Sequence, residues 1–300
     1  MKVGVTLPIG QADALGGIAG WPRIHAHARH AEAVGLDSIW LADHLLFRFP
    51  DEPTTGIHEA WTILSALAAT TTRVEVGTLV LCLEFRNPAL VAKMAVTADE
   101  VSGGRLVLGL GAGWHDPEYE AFGIPLDHRV GRFEEGLRIV APLLRGESVT
   151  IDGRWHHARD AILTPPPGRR VPILVAAKGP RMLRLTARHA DAWNTAWYGR
   201  PDERLAAALA GLDRALDLEH RDPGEVARTV GVVIRDRDQP QPAEGRPMAF
   251  EGRVDAIARL LDEYAALSVD ELTVWLEPKT GRSLDRLAEA VRLQRGVVAR

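Results

Sequence analysis

The sequence predicts a (β/α)8 barrel, an α/β fold of the TIM-barrel class, and three observations carry that reading. Eight short apolar runs alternate with eight longer amphipathic segments along 300 residues. Such alternation builds a parallel sheet joined by right-handed helical crossovers, and at eight units the sheet closes on itself. The first apolar run ends Leu7-Pro8-Ile9-Gly10-Gln11, which lacks the glycine-rich turn that opens a doubly wound dinucleotide-binding sheet. Barrels of this class run to about 250 residues and more as one unit, so residues 1–300 are expected to form a single domain.

The strand candidates are residues 3–8, 38–42, 74–81, 105–110, 172–176, 191–195, 229–234 and 271–276. The third shows the pattern well, with Val74, Val76, Thr78 and Val80 supplying β-branched side chains. The helical segments are 23–34, 58–71, 88–101, 129–144, 180–189, 202–218, 253–266 and 283–298. His25, His27 and His30 on the first helix are expected at the surface, because that helix belongs to the outer ring. Two segments break the alternation. Residues 114–167 are long for one unit and are expected to be an insertion after the fourth strand, lying over the barrel mouth. They read as a helix, a small hairpin at 146–153 and the run Pro165-Pro166-Pro167. Residues 236–247 follow the seventh strand and read either as a lid on the catalytic face or as a solvated loop.

Composition narrows the function classes. Hydrophobic residues make up 46% and charged residues 25%, an ordinary soluble globular balance. A net charge of -4 gives no general pull towards nucleic acid or an anionic membrane. No window approaches the roughly 18 apolar residues of a membrane span, and the short apolar run at 3–9 reads as a strand, not a signal peptide. The single cysteine, Cys82, excludes an internal disulfide and fits a reducing cytoplasm. A soluble cytoplasmic enzyme with a small-molecule substrate is expected.

A barrel of this kind places its chemistry at the C-terminal ends of its strands, which selects a short list. Asp43 and His44 follow the second strand; adjacent side chains point in different directions, so one can face the axis and the other the rim. Imidazole is the natural group to give or take a proton near neutral pH. Cys82 follows the third strand and reads as a buried, inert thiol, while Arg86 can meet an anion or pair with Glu84. After the fourth strand, Gly109, Gly111 and Gly113 alternate, letting a flat ligand approach the backbone or the chain pack tightly, and Trp114 can supply an aromatic wall. After the fifth, Ala177-Lys178-Gly179-Pro180-Arg181 opens a helix with free backbone N–H groups beside two cations, which reads either as an anion site or as an ordinary helix start with two solvated cations. No metal site is expected, because no cluster has metal-ligand spacing, and there is no G-x-S-x-G elbow.

Taken together, several segments resemble the luciferase-like flavin and deazaflavin oxidoreductases. They are Gly35-Leu36-Asp37-Ser38-Ile39-Trp40 with Asp43-His44, Arg86-Asn87-Pro88-Ala89-Leu90, Ser102-Gly103-Gly104-Arg105, Gly109 to Trp114, Gly179-Pro180-Arg181, and His189-Ala190-Asp191-Ala192-Trp193-Asn194. They stand in family order over nearly the whole chain. The resemblance implies a cofactor ring near Asp43, Leu81, Cys82, Ala112 and Gly113, with the cofactor phosphate at Ala177, Lys178 and Gly179. It also implies a bulge with a non-prolyl cis peptide near Val80 to Cys82 and a homo-oligomer. The Asp43-His44 pair is similar to the coenzyme F420-dependent branch, where the Asp contacts the ring and the His transfers a proton. Sugar-phosphate dehydrogenases of that branch carry Glu where Trp114 stands, which argues against sugar-phosphate oxidation. Relatives often carry Gly or Ser at the positions of Ala177 and Lys178.

Three functions follow from this resemblance. The leading one is hydride transfer between a 5-deazaflavin (coenzyme F420) and an unknown small organic substrate, with His44 and Asp43 as the catalytic pair. The second is an FMN-dependent monooxygenase that uses O2 and reduced flavin from a partner flavin reductase. The third is a flavin-binding barrel without catalysis.

Overall fold

A computed structural model describes residues 1–11, 17–240 and 248–296. In chain order the strands are β1 (Lys2–Thr6), β2 (Ser38–Leu41), β3 (Glu75–Thr78), β4 (Leu81–Cys82), β5 (Leu106–Gly111), β6 (Val149–Asp152), β7 (His157–Ala161), β8 (Ile173–Ala176), β9 (Ala192–Tyr198), β10 (Ala227–Arg235), β11 (Phe250–Glu251) and β12 (Glu271–Glu277). The helices are α1 (Trp21–Ala33), α2 (Ala60–Thr70), α3 (Pro88–Ser102), α4 (Asp116–Phe122), α5 (Arg129–Leu144), α6 (Pro180–His189), α7 (Glu203–Leu218), α8 (Val254–Ala265) and α9 (Gly281–Gln294). The barrel runs β1-β2-β3-β5-β8-β9-β10-β12, all parallel, and β12 closes onto β1 through Val3↔Leu272 and Val5↔Val274. The predicted (β/α)8 architecture is the observed one.

Local chemistry starts and stops these elements. Asn87 caps α3 by accepting from the Leu90 amide at 3.1 Å, Pro88 sits at the first helical position, and Gly103 ends the helix at φ +68. The third predicted strand is interrupted. β3 pairs with β2 and β5, residues 79 and 80 leave the ladder, and β4 rejoins β5 at Leu81↔Leu110. The Leu79–Val80 peptide is cis, one residue before the segment the resemblance implied. Gly109 and Gly111 make room for this bulge. A Cβ on Gly109 would lie 1.9 Å from the Thr78 carbonyl oxygen, and one on Gly111 would lie 2.6 Å from the Val80 side chain. These two glycines therefore serve chain packing.

Several expectations need correction. The segment 114–167 is not one insertion, because α5 lies within it and packs between α3 and α6 as a ring helix. The additions are α4 before that helix and the β6–β7 hairpin after it. The hairpin also runs past Gly153, to Ala161. Glu135 of α5 holds its turn by accepting from the amides of Arg154, Trp155 and His156 at 2.9–3.1 Å. His27 is buried, because Ile24, His27, Ala28 and Ala31 form the inner stripe of α1. Burial pushes its imidazole down to about 3, so it stays neutral. Arg86 does not pair with Glu84, which meets His156 at 3.0 Å instead. The start of the 236–247 loop is pinned by a 2.8 Å ion pair from Asp236 to Arg286, and residues 241–247 lie outside the described residues, as do 297 and 298 of the last predicted helix.

The end of the barrel opposite the strand C-termini holds a buried polar layer. Trp40 of β2 fills the interior only because its neighbours on β1 and β3 are Gly4 and Gly77; a Cβ there would lie 2.8 Å and 2.4 Å from its ring atoms. Its indole N–H donates to Ser38 Oγ at 2.7 Å and to Glu271 Oε1 at 3.1 Å, and the Ser38 hydroxyl donates to the same carboxyl oxygen. Burial pushes the Glu271 carboxyl up to about 7. The folded chain thus holds this proton more tightly than the unfolded chain. Below about pH 4.5 both states are protonated and nothing is lost; stability then falls as the pH rises to about 7. A shift from 4.5 to about 7 corresponds to roughly 3 kcal/mol once complete. Glu271→Gln keeps the acceptor for Ser38 and removes the titration. Its unfolding free energy should be higher than that of the parent at pH 8, equal within error at pH 4, and flatter between; chemical denaturation across that range measures it.

Candidate functional site

The mouth of the barrel is organised by the turn after β2. Asp43 is buried and turned inward, whereas His44, its side chain 14% exposed, faces the rim. Arg86 grips Asp43 with both arms of its guanidinium, at 2.7 Å to Oδ2 and 3.0 Å to Oδ1. The Cys82 amide donates to Oδ2 at 3.0 Å. Burial pushes the Asp43 carboxyl above its ordinary value, opposed by Arg86 and the Cys82 amide. Arg86 also bonds Glu59, the residue that caps α2 through the amides of Trp61 and Thr62. One guanidinium therefore ties the end of β2, the bulge of the third strand and the start of α2.

His44 is held by a residue that the sequence reading did not select. Its Nδ1 lies 3.0 Å from Glu118 Oε1, and Glu118 Oε2 accepts from the Leu45 amide at 2.8 Å. Glu118 is buried, in the first turn of α4. An acid in the first turn after a proline is common in any helix, and the pattern Asp116-Pro117-Glu118 gave no sign that α4 would cross to the β2 turn. His44 Nε2 has no partner among the described residues, so the imidazole is oriented from one side and open on the other.

Tyr119, next on α4, makes the second junction. Its hydroxyl donates to the Ala112 carbonyl at 2.9 Å and lies 2.9 Å from Cys82 Sγ. Burial pushes the Cys82 thiol up to about 12, which leaves it a protonated, inert side chain. Gly113 has φ +74, and a Cβ there would lie 1.8 Å from the Tyr119 hydroxyl and 3.0 Å from Cys82 Sγ. Asp43, Leu81, Cys82, Ala112 and Gly113 are thus gathered in one place by β4, β5 and the turn after β2.

At the next strand end, Ala177 is buried, and its carbonyl accepts from the Trp193 indole at 2.9 Å. Lys178 and Gly179 are exposed. Gly179 is the N-cap of α6, no side chain caps that helix, and the space where its Cβ would stand is open. Lys178 has no ion-pair partner among the described residues, whereas Arg181 is taken by Glu134 at 2.6 Å. An uncapped helix start with one uncommitted cation is what an anion requires. The groups that would hold a phosphate-bearing ring cofactor are therefore present, with Asp43 already engaged by Arg86.

A barrel with a buried clamp, an oriented imidazole and an uncapped helix start at its mouth has the layout of an α/β-barrel enzyme. The luciferase-like monooxygenase family matches residues 1–292, and the chain belongs to that family of F420- and flavin-dependent oxidoreductases and monooxygenases. It is 34% identical over 236 residues to a phthiodiolone/phenolphthiodiolone dimycocerosates ketoreductase of Mycobacterium tuberculosis, covering 71% of this chain and 61% of that one. It is 31% identical over 223 residues to an F420-dependent glucose-6-phosphate dehydrogenase of Kineococcus radiotolerans, covering 72% and 64%. The match thus spans less than two thirds of the length of these relatives. Among solved structures, an F420-dependent secondary alcohol dehydrogenase bound to an F420–acetone adduct aligns with a TM-score of 0.81 at 18% identity, covering 98% of this chain and 99% of that one. EDTA monooxygenase from Chelativorans sp. BNC1 aligns at 0.76 and 15% identity, covering 100% and 95%. Among the described residues no helix is long and apolar enough to cross a membrane.

Asp43→Ala would leave the largely buried Arg86 guanidinium, its side chain 13% exposed, with Glu59 as its remaining partner. The expected loss is about 3–5 kcal/mol of folding stability, the usual result of breaking a buried ion pair from one side. Urea denaturation of the variant measures it, and Asp43→Asn, which keeps the acceptor oxygen for the Cys82 amide, should lose less.

Proposed function

We propose that this chain is a coenzyme F420-dependent oxidoreductase that interconverts a ketone and a secondary alcohol. The observation that carries the proposal is the His44–Glu118 pair: an imidazole fixed at Nδ1 by a buried carboxylate, with Nε2 open at the barrel mouth. Support comes from the relatives, one a ketoreductase and one an F420-dependent dehydrogenase.

A reduced 5-deazaflavin supplies a hydride to an electrophilic carbon and does not activate oxygen. The protein must bind it, hold the substrate against it and handle one proton. The α6 N-terminus and Lys178 would hold the phosphate, by backbone N–H groups and one positive charge. The surface formed by the bulge, Ala112 and Gly113 would support the ring system, with Arg86 keeping the bulge in place through Asp43. In ketone reduction His44 enters as the imidazolium, with its Nδ1–H donated to Glu118 and its Nε2–H to the carbonyl oxygen. Once the Nε2 proton is passed to that oxygen, His44 is neutral and keeps its bond to Glu118. In alcohol oxidation the same Nε2 lone pair takes the hydroxyl proton. Glu118 therefore selects the atom that transfers the proton.

His44→Ala should lower kcat by roughly 10²–10⁴, the usual loss for a general acid–base group, with cofactor affinity near that of the parent. Gly179→Asp, by placing a carboxylate at the α6 start, should instead weaken cofactor binding. Steady-state kinetics and a cofactor titration on both variants separate the two roles. Oxygen uptake stoichiometric with product, in the presence of reduced FMN, would overturn the proposal in favour of the monooxygenase reading.

A further inference from the structure

The rim beside His44 is aromatic and only partly covered. Trp114 is 59% exposed and Phe49 is 41% exposed, although both are large apolar side chains. Phe49 stacks on Trp114 with centroids 6.5 Å apart and planes at 24°, and on Phe47 at 6.4 Å and 9°. The row ends on the imidazole: Phe47 lies 4.5 Å from the His44 ring and Trp114 meets it edge-on at 5.5 Å. Isolated exposed hydrophobes are ordinary, but a contiguous exposed row that ends on a proton-transfer group is not.

Most polar groups around this row are committed elsewhere. His115, which touches both Phe49 and Trp114, is buried, and its Nε2 accepts from the Arg48 amide at 3.0 Å. Arg48 turns its side chain to Thr54 at 3.2 Å. Arg129 pairs with Asp116 at 2.6 Å, and Arg86 is held by Asp43 and Glu59. Arg48 has no acidic partner among the described residues, so the apolar character of the wall lies in Phe47, Phe49 and Trp114 themselves.

We infer that Trp114 and Phe49 form the binding wall for a hydrocarbon chain, so that the substrate is an apolar, chain-bearing ketone or secondary alcohol. This rests on the carbonyl-reducing reading above and adds the substrate class. The chain lies along the Phe47–Phe49–Trp114 row, and the carbonyl end of the molecule reaches His44 Nε2. Burying each further methylene against the row tightens binding by about three- to fourfold until the row is covered.

The test is calorimetric binding of 2-butanone, 2-hexanone, 2-octanone and 2-decanone to the protein loaded with oxidised F420, and in parallel to the cofactor-free protein. The parent should bind more tightly at each step of the series. Trp114→Ala and Phe49→Ala should flatten that slope, whereas Leu218→Ala, at a more exposed leucine at the end of α7, should keep it. Circular dichroism of each variant shows that the fold is retained. A flat series in the parent, an unchanged slope in both wall variants, or tighter binding of glucose 6-phosphate than of 2-decanone would overturn the substrate class and leave hydride transfer standing. Failure of F420 to bind would instead overturn the functional reading, and the slope in the cofactor-free protein would still decide the wall.

Discussion

The mouth of this barrel depends on one buried ion pair. Arg86 closes on Asp43 with two hydrogen bonds, and a third acceptor position of that carboxylate is used by the Cys82 amide. Through Glu59 the same guanidinium reaches the cap of α2. A pair of opposite charges withdrawn from water is favourable only when such extra hydrogen bonds satisfy both partners. Here those bonds fix the relative positions of three chain segments. The bulge of the third strand is tied to the end of β2 by that fixation, while the direction of His44 is set by Glu118.

The barrel was legible in the sequence because it rests on periodicity. Each of the eight predicted strands and ring helices appears, with ends displaced by a few residues where a cap or a tertiary contact decides the boundary. The hairpin was misplaced because Gly153 looks like a terminator and is instead part of a turn held by Glu135, a residue distant in sequence. Membership of the outer ring does not place every residue of α1 outside, since the spacing of His27 from Ile24 and Ala31 puts it on the stripe that faces the barrel. The site was legible only where it lies at a strand end. Asp43, His44 and Gly113 could be selected by the rule for barrels, whereas Glu118 acts across the mouth from a short helix whose placement no local pattern encodes.

The division of labour between neighbours follows from burial. Asp43 is buried and bonded by Arg86 and the Cys82 amide, so its part in the structure is architectural. His44 keeps one nitrogen open and meets an aromatic row on its flank. An oriented acid–base group beside an apolar wall suits a substrate whose only polar atom is the one that reacts.

The central claim is that this mouth takes a 5-deazaflavin and uses it without oxygen. The most direct measurement is a parallel titration of the purified, cofactor-free protein with F420 and with FMN, each in oxidised and reduced form, followed by quenching of intrinsic tryptophan fluorescence. The account predicts saturable, equimolar binding of F420 with an affinity at least tenfold above that for FMN. Saturable binding of FMN with no binding of F420 would contradict it.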